Sequence, residues 1–288
     1  MPTEPTPIPP TMLDYAPVVK GRALRRWVNR LLIVLAIGAA AYLPWYGWQW
    51  RLKQDEKAFN AQATINRSNG YVFFNTPPTA AALRHLQRVP NIRDLDFIWS
   101  GNPDPAAYLL LRGRRFPTIT TFALYGGMDA DGWLKELSRA DTGLKALTTL
   151  NLYGMQVTDA GLKDLARPDS GLKALTTLDL WGTQVTDAGL KELARPATGL
   201  KALTTLYLSG TKVTGAGLKE LARPDTGLKA LTTLYLDGTQ LTNASLKELA
   251  RPDTGLKALT TLYLSHTKVT DAEIAALKAA RPGLEIVR

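Results

Sequence analysis

The apolar residues in the second half of this chain recur every 28 positions. In residues 147–167, leucines stand at Leu147, Leu150 and Leu152, then Val157, then Leu162 and Leu165. One and two periods on, the same places hold Leu175, Leu178, Leu180 and Val185, then Leu203, Leu206, Leu208 and Val213. The Leu-x-Leu core has the two-residue alternation of a short strand with one buried face. Leu162 and Leu165 follow Thr158, Asp159, Ala160 and Gly161. That predicts a short helix capped by Thr158 or Asp159. In the last block, Thr270 and Glu273 have capping-box spacing. Pro168, Pro196, Pro224, Pro252 and Pro282 each follow an arginine and end the helix. A turn rich in Asp, Thr and Gly brings the chain back.

Five blocks open with the same eight residues, at Gly143, Gly171, Gly199, Gly227 and Gly255. A fixed period of this size predicts a solenoid whose units stack on their neighbours. No unit can bury its own leucines alone. Stacking makes the strands a parallel sheet and sets the helices side by side outside it. Helices need more room than strands, so the expected α/β stack curves, with the sheet on the concave face. The pattern Leu-x-x-Leu-x-Leu-x-x-Thr-x-Val resembles the leucine-rich repeat family, in its ribonuclease-inhibitor-like and bacterial GALA-like 28-residue types. The resemblance implies a horseshoe that recognises another protein and does no catalysis. The sequence departs from the family where an Asn or Cys usually follows the strand. Thr183, Thr211, Thr239 and Thr267 stand there, and Met155 in the first clear copy. Met155 cannot bond the turn through its side chain, so that turn is expected to be looser.

The array extends upstream in weaker copies. Ile119, Phe122 and Leu124 stand one period before Leu147, Leu150 and Leu152, and Ile92, Leu95 and Phe97 form a more irregular unit. Residues 72–74 predict a strand and 79–88 a helix. Leu284, Ile286 and Val287 predict a closing strand. The expected organisation is an N-terminal cap with a degenerate repeat over 70–115 and repeats over 116–288.

The first third differs. Residues 1–19 are rich in Pro and Thr, and 1–27 are expected to form a disordered cytoplasmic tail. Residues 31–50 carry no charge, and 20 residues match a bilayer core of about 30 Å. Trp27 precedes the run, and Trp45, Tyr46, Trp48 and Trp50 crowd its far end, as interfacial aromatics do. The expected transmembrane signal anchor covers 28–50. Lys20, Arg22, Arg25, Arg26 and Arg30 precede its uncharged run. The positive-inside rule then puts a single-pass protein in the cytoplasmic membrane, N-terminus inside and repeats extracytoplasmic. Ala39, Ala40 and Ala41 leave open a cleaved, secreted form, and a buried or interfacial helix is a further alternative. Residues 51–69 are polar helix formers, expected to continue as a juxtamembrane helical stalk.

Charge changes this picture little. The net charge is +10, yet the first 30 residues hold five basic and two acidic residues, and the array from Gly143 holds eighteen and fourteen. No basic stripe with interleaved aromatics points to nucleic acid. Cysteine is missing from the sequence, and the two histidines, His85 and His266, stand far apart. The spacing offers no metal site, cofactor site or catalytic set, so the reading is not an enzyme, with no cofactor. Five identical lysines, Lys145, Lys173, Lys201, Lys229 and Lys257, are explained by duplication of the unit, with an anion-binding ridge as the alternative.

Candidate contacts come from the outward positions of the strands. Two columns vary among otherwise near-identical units. One holds Asn151, Asp179, Tyr207, Tyr235 and Tyr263; the other holds Tyr153, Trp181, Ser209, Asp237 and Ser265. With strands about 4.8 Å apart, Tyr207, Tyr235 and Tyr263 should form an aromatic ladder. The expected partner-binding residues are these three with Trp181, Tyr153, Asn151, Asp179 and Asp237, and the expected partner is a protein. The alternatives are self-association of the repeats in an envelope lattice and a sugar-stacking surface.

Overall fold

The computed structural model describes residues 44–66, 68–76, 78–98, 116–126 and 130–288. The expected tail (1–27), most of the expected anchor (28–43) and residues 99–115 of the expected cap lie outside the described residues. The chain divides into two compact units, 1–52 and 53–288. Among the described residues, no helix is long and apolar enough to cross a membrane.

Helix α1 (Pro44–Gln62) leads to strand β1 (Ala63–Asn66) and then to β2 (Tyr71–Phe74), α2 (Ala80–Leu86), β3 (Asp94–Ile98) and β4 (Thr121–Tyr125). Strands and helices then alternate: α3 (Asp131–Leu137), β5 (Thr149–Asn151), α4 (Asp159–Leu165), β6 (Thr177–Asp179), α5 (Asp187–Leu193) and β7 (Thr205–Tyr207). They continue as α6 (Gly215–Leu221), β8 (Thr233–Tyr235), α7 (Asn243–Ala250), β9 (Thr261–Tyr263), α8 (Asp271–Ala280) and β10 (Glu285–Val287). The strands form one sheet in sequence order. β1 pairs antiparallel with β2, and every later pairing is parallel. Residues 28 apart face each other, as Leu178 faces Leu206 and Leu206 faces Leu234.

The expected helical stalk over 51–69 is helical only as far as Gln62, and it is not a solvated one. α1 ends at Gln62, and the next residues add an edge strand to the sheet. Phe59 is fully buried, its ring edge-on to Phe74 at 5.6 Å. Phe74 meets Phe97 at 5.2 Å, and Phe97 meets Phe122 and Trp133 at 5.2 and 5.1 Å. An aromatic core thus replaces the leucine core at this end. Asp55, only 1% exposed, accepts from Arg84 Nη2 at 2.8 Å and from Arg88 Nη1 at 3.1 Å. Burial pushes the Asp55 carboxyl up, but the two guanidiniums outweigh it and hold the group below the usual carboxylate range. A solvated stalk has no use for a buried phenyl ring or a buried ion pair. These two side chains tie residues 53–66 to the cap.

In the regular units the expected leucines are the core. Leu147, Leu150, Leu152, Val157, Leu162 and Leu165 are all fully buried, as are their counterparts in the next units. The turn after each strand places Gly154, Gly182, Gly210 and Gly238 at φ of 66° to 68°, where a side chain costs energy. His266 takes the same place at φ 58°. Thr183, Thr211, Thr239 and Thr267 donate their hydroxyls to the carbonyl three residues back, at 2.5–2.8 Å. The Met155 turn is not looser. Its N–H donates to the Leu152 carbonyl at 3.1 Å, as that of Thr183 does to Leu180 at 3.2 Å. The backbone bond and the glycine set the turn, and the Met155 side chain is buried in the core.

Neighbouring units are also joined by a polar relay at the helix starts. Thr158 is the cap of α4 and accepts from the Ala160 N–H at 3.2 Å. Asp159 serves the next unit instead: its carboxylate accepts the N–H and hydroxyl of Thr186 at 2.9 and 2.7 Å. Asp131 does this for Thr158, and Asp187 for Thr214. The carboxylate fills the space above it, so a Cβ at Gly161, Gly189 or Gly217 would collide with Asp131, Asp159 or Asp187. The α6–α7 joint inverts the arrangement. Gly215 replaces the aspartate and Ser245 replaces the glycine. Ser245 Oγ accepts the Thr242 N–H at 3.0 Å and occupies the place a Gly215 side chain would need. The capping box expected at Thr270 is half made. Thr270 Oγ1 accepts the Glu273 N–H, but the Thr270 N–H donates to Asn243 Oδ1 at 2.9 Å in the preceding unit.

Candidate interaction face

Each short strand buries its central leucine and turns its flanking residues to the face of the sheet opposite the core. Leu150, Leu178, Leu206, Leu234 and Leu262 are fully buried. Thr149 and Asn151, Thr177 and Asp179, Thr205 and Tyr207 are partly exposed. Register then places Asn151, Asp179, Tyr207, Tyr235 and Tyr263 in one column.

The ladder expected of the three tyrosines is present. Tyr207 and Tyr235 stack at 4.1 Å and 11°, and Tyr235 and Tyr263 at 4.0 Å and 10°. Both faces of the middle ring are covered, so Tyr235 offers its edge and hydroxyl outward. A sugar-stacking platform needs an open ring face, and the middle of this ladder has none. Burial raises the Tyr235 pKa, and the hydrogen bond with Tyr235 raises that of Tyr263. Both phenols stay neutral near pH 7.

Tyr153 and Trp181 form a second pair, edge to face at 5.5 Å. They are 49% and 47% exposed, the most exposed large aromatics described. Trp181 leans over the next turn, where Gly210 leaves room beside its indole nitrogen. Asn151 and Asp179 lie in register and brace these turns, their Oδ1 atoms accepting the N–H of Tyr153 and Trp181 at 2.9 Å. Burial pushes the Asp179 carboxyl up. Asp237 is a brace between units: it accepts from the Ser209 hydroxyl at 3.1 Å and the Ser265 N–H at 2.7 Å. The eight expected residues therefore share one face, in two aromatic groups joined by polar braces.

The face reaches further than the sequence columns indicated. Tyr71, Phe73, Asp94, Asp96, Ile98 and Tyr125 continue it across β2, β3 and β4. Tyr71 donates its hydroxyl to Asp96 Oδ2 at 2.8 Å, and Tyr125 receives the Asn151 amide at 3.3 Å. Burial raises the pKa of Asp96, of Tyr71 and of Tyr125. Alternation within 71–74, 94–98 and 121–125 was the available clue, since their outward residues sit two apart. His85 lies elsewhere, packed on the Phe59 ring at 5.0 Å.

A comparison with curated proteins gives no match. Among solved structures, the chain is similar to an internalin of Listeria monocytogenes at 19% identity and a TM-score of 0.35, over 73% of this chain and 70% of that one. It is also similar to the APL1 leucine-rich repeat domain, at 16% identity and a TM-score of 0.39, over 67% of this chain. It spans only 43% of that second structure's length. The family model described as Leucine Rich repeat matches residues 169–194 and 200–222. These two stretches are leucine-rich repeats, and the units on either side repeat the same strand, turn and helix in the same register.

Proposed function

We propose that this protein is a membrane-anchored, non-catalytic recognition module that captures a protein partner on the open face of its sheet. The observation that carries the reading is the pair of aromatic groups, exposed Tyr153 with Trp181 and partly exposed Tyr207 with Tyr235 and Tyr263, on a face that no described helix covers. Aromatic side chains in this number are what interface centres use, because they give large contact area at small entropy cost. Replacing Tyr207, Tyr235 and Tyr263 together with serine should abolish partner capture by the full chain, while circular dichroism keeps the helical signal. Replacing Lys145, Lys173 and Lys229 on the exposed return loops should leave capture intact. The opposite pattern would move the functional surface off the sheet.

The anchoring part of the proposal rests on the uncharged run 31–50 and the five basic residues before it. A cysteine placed at Ser265 should then react with an impermeant maleimide in cells whose outer layer is permeable, and one placed at Thr11 should not. Reversed labelling overturns the orientation. A chain shortened by about 41 residues, cut after the alanines at 39–41, establishes the cleaved form instead.

A further inference from the structure

The chain carries a net charge of +10, yet among the described residues its open sheet face holds none of that positive charge. Strands β2 to β9 contribute no lysine or arginine, and neither does the column from Ile98 through Tyr125, Tyr153, Trp181, Ser209 and Asp237 to Ser265. The same face holds Asp94, Asp96, Asp179 and Asp237. The described basic residues lie elsewhere. The repeated lysines are exposed on the return loops, and Arg167, Arg223 and Arg251 are paired with Asp169, Asp225 and Asp253 at the helix ends. Charge is thus segregated against the average of the molecule.

We propose that the partner presents a cationic, extended segment, whose Lys or Arg side chains lie over Trp181 and Tyr153 and pair with Asp179. This deepens the docking role proposed above and rests on it. Asp179 has a single described hydrogen bond, through Oδ1 to the Trp181 N–H, which leaves its second oxygen for a ligand. The most exposed of the described aromatic rings, Tyr153 and Trp181, stand beside it. An aromatic face next to a carboxylate is a favourable place for guanidinium or ammonium, since ring quadrupole and charge act together. An acidic segment would meet like charge, and a purely apolar helix would bury Asp179 without a counter-ion. Asp96 lies three strands from Asp179 in the same column, and Asp237 lies two strands away in the turn, two residues past the register partner Tyr235. With strands about 4.8 Å apart and an extended chain rising about 3.3 Å per residue, these carboxylates match basic residues roughly four and three positions apart.

The probe is a Ser/Gly peptide with three arginines at that four-and-three spacing, and its control has glutamate at each arginine. Both are titrated into the full chain, following Trp fluorescence and heat. The arginine peptide should bind saturably at or below about 1 mM and weaken as salt rises, and the glutamate peptide should not bind. Asp179→Asn keeps the acceptor for the Trp181 N–H and should weaken binding about tenfold. Trp181→Ala should weaken it comparably, and Lys201→Ala should not. Absence of saturable binding by the arginine peptide, or equal binding to Asp179→Asn, overturns the proposal. If natural-partner capture is lost in the tyrosine variant but unchanged in Asp179→Asn, the docking face stands and its cationic specificity falls. If neither variant affects capture, both readings fall.

Discussion

Gly215→Asp should cost about 2–3 kcal/mol of stability, and adding Ser245→Gly to the same chain should restore most of it. The single change puts a carboxylate where Ser245 Oγ already stands. Ser245→Gly alone opens that space but leaves the Thr242 N–H without its acceptor, at about 1–2 kcal/mol. Together the two changes rebuild the aspartate-over-glycine arrangement of the Asp187–Gly217 joint, where the carboxylate takes the Thr214 N–H and hydroxyl. Denaturant melts of the four chains give the coupling energy directly. If the two losses simply add, the relay does not link the units.

Leu206→Ala should cost about 2–5 kcal/mol. Leu206 is fully buried and lies between Leu178 and Leu234 in register, so the cavity opens at the contact of three units. Stability in a stack is close to a sum of nearest-neighbour terms. The loss should therefore fall on the joint as well as the unit, and hydrogen exchange should quicken on both sides of β7. Lys201, exposed on its return loop, should tolerate alanine within about 0.5 kcal/mol. Equal midpoints for the two variants would contradict the assignment of the strand's buried face.

The repeat array was legible in the sequence because its signal is redundant. Each unit repeats the same buried leucines, so strand register follows from the spacing alone. The tyrosine column and its stacking followed from the same arithmetic. Where only one copy exists, redundancy fails. Residues 51–62 have the composition of a solvated helix, and nothing local shows that Phe59 and Asp55 are buried, because their partners lie on β2 and α2. The Met155 turn was misjudged from its side chain, whereas a backbone bond holds it. Gly215 and Ser245 each look like drift when one column is inspected. They become a matched pair only when positions 30 apart are compared, as in Asp131 with Gly161, Asp159 with Gly189 and Asp187 with Gly217.

That matched pair gives the chain a grammar of unit order. Most of its units look interchangeable, so unequal recombination of the coding sequence could add or delete one without a change of reading frame. Among the joints from α3 to α7, the α6–α7 joint is the exception. A glycine-bearing unit set over Gly215 would leave a threonine N–H facing empty space, and the Ser245 unit set over an aspartate would collide with it. Insertions within the run from α3 to α6 keep every joint satisfied, while a break between α6 and α7 does not. The length of the array is therefore free to vary on one side of this joint, and the units of α6 and α7 travel as a block.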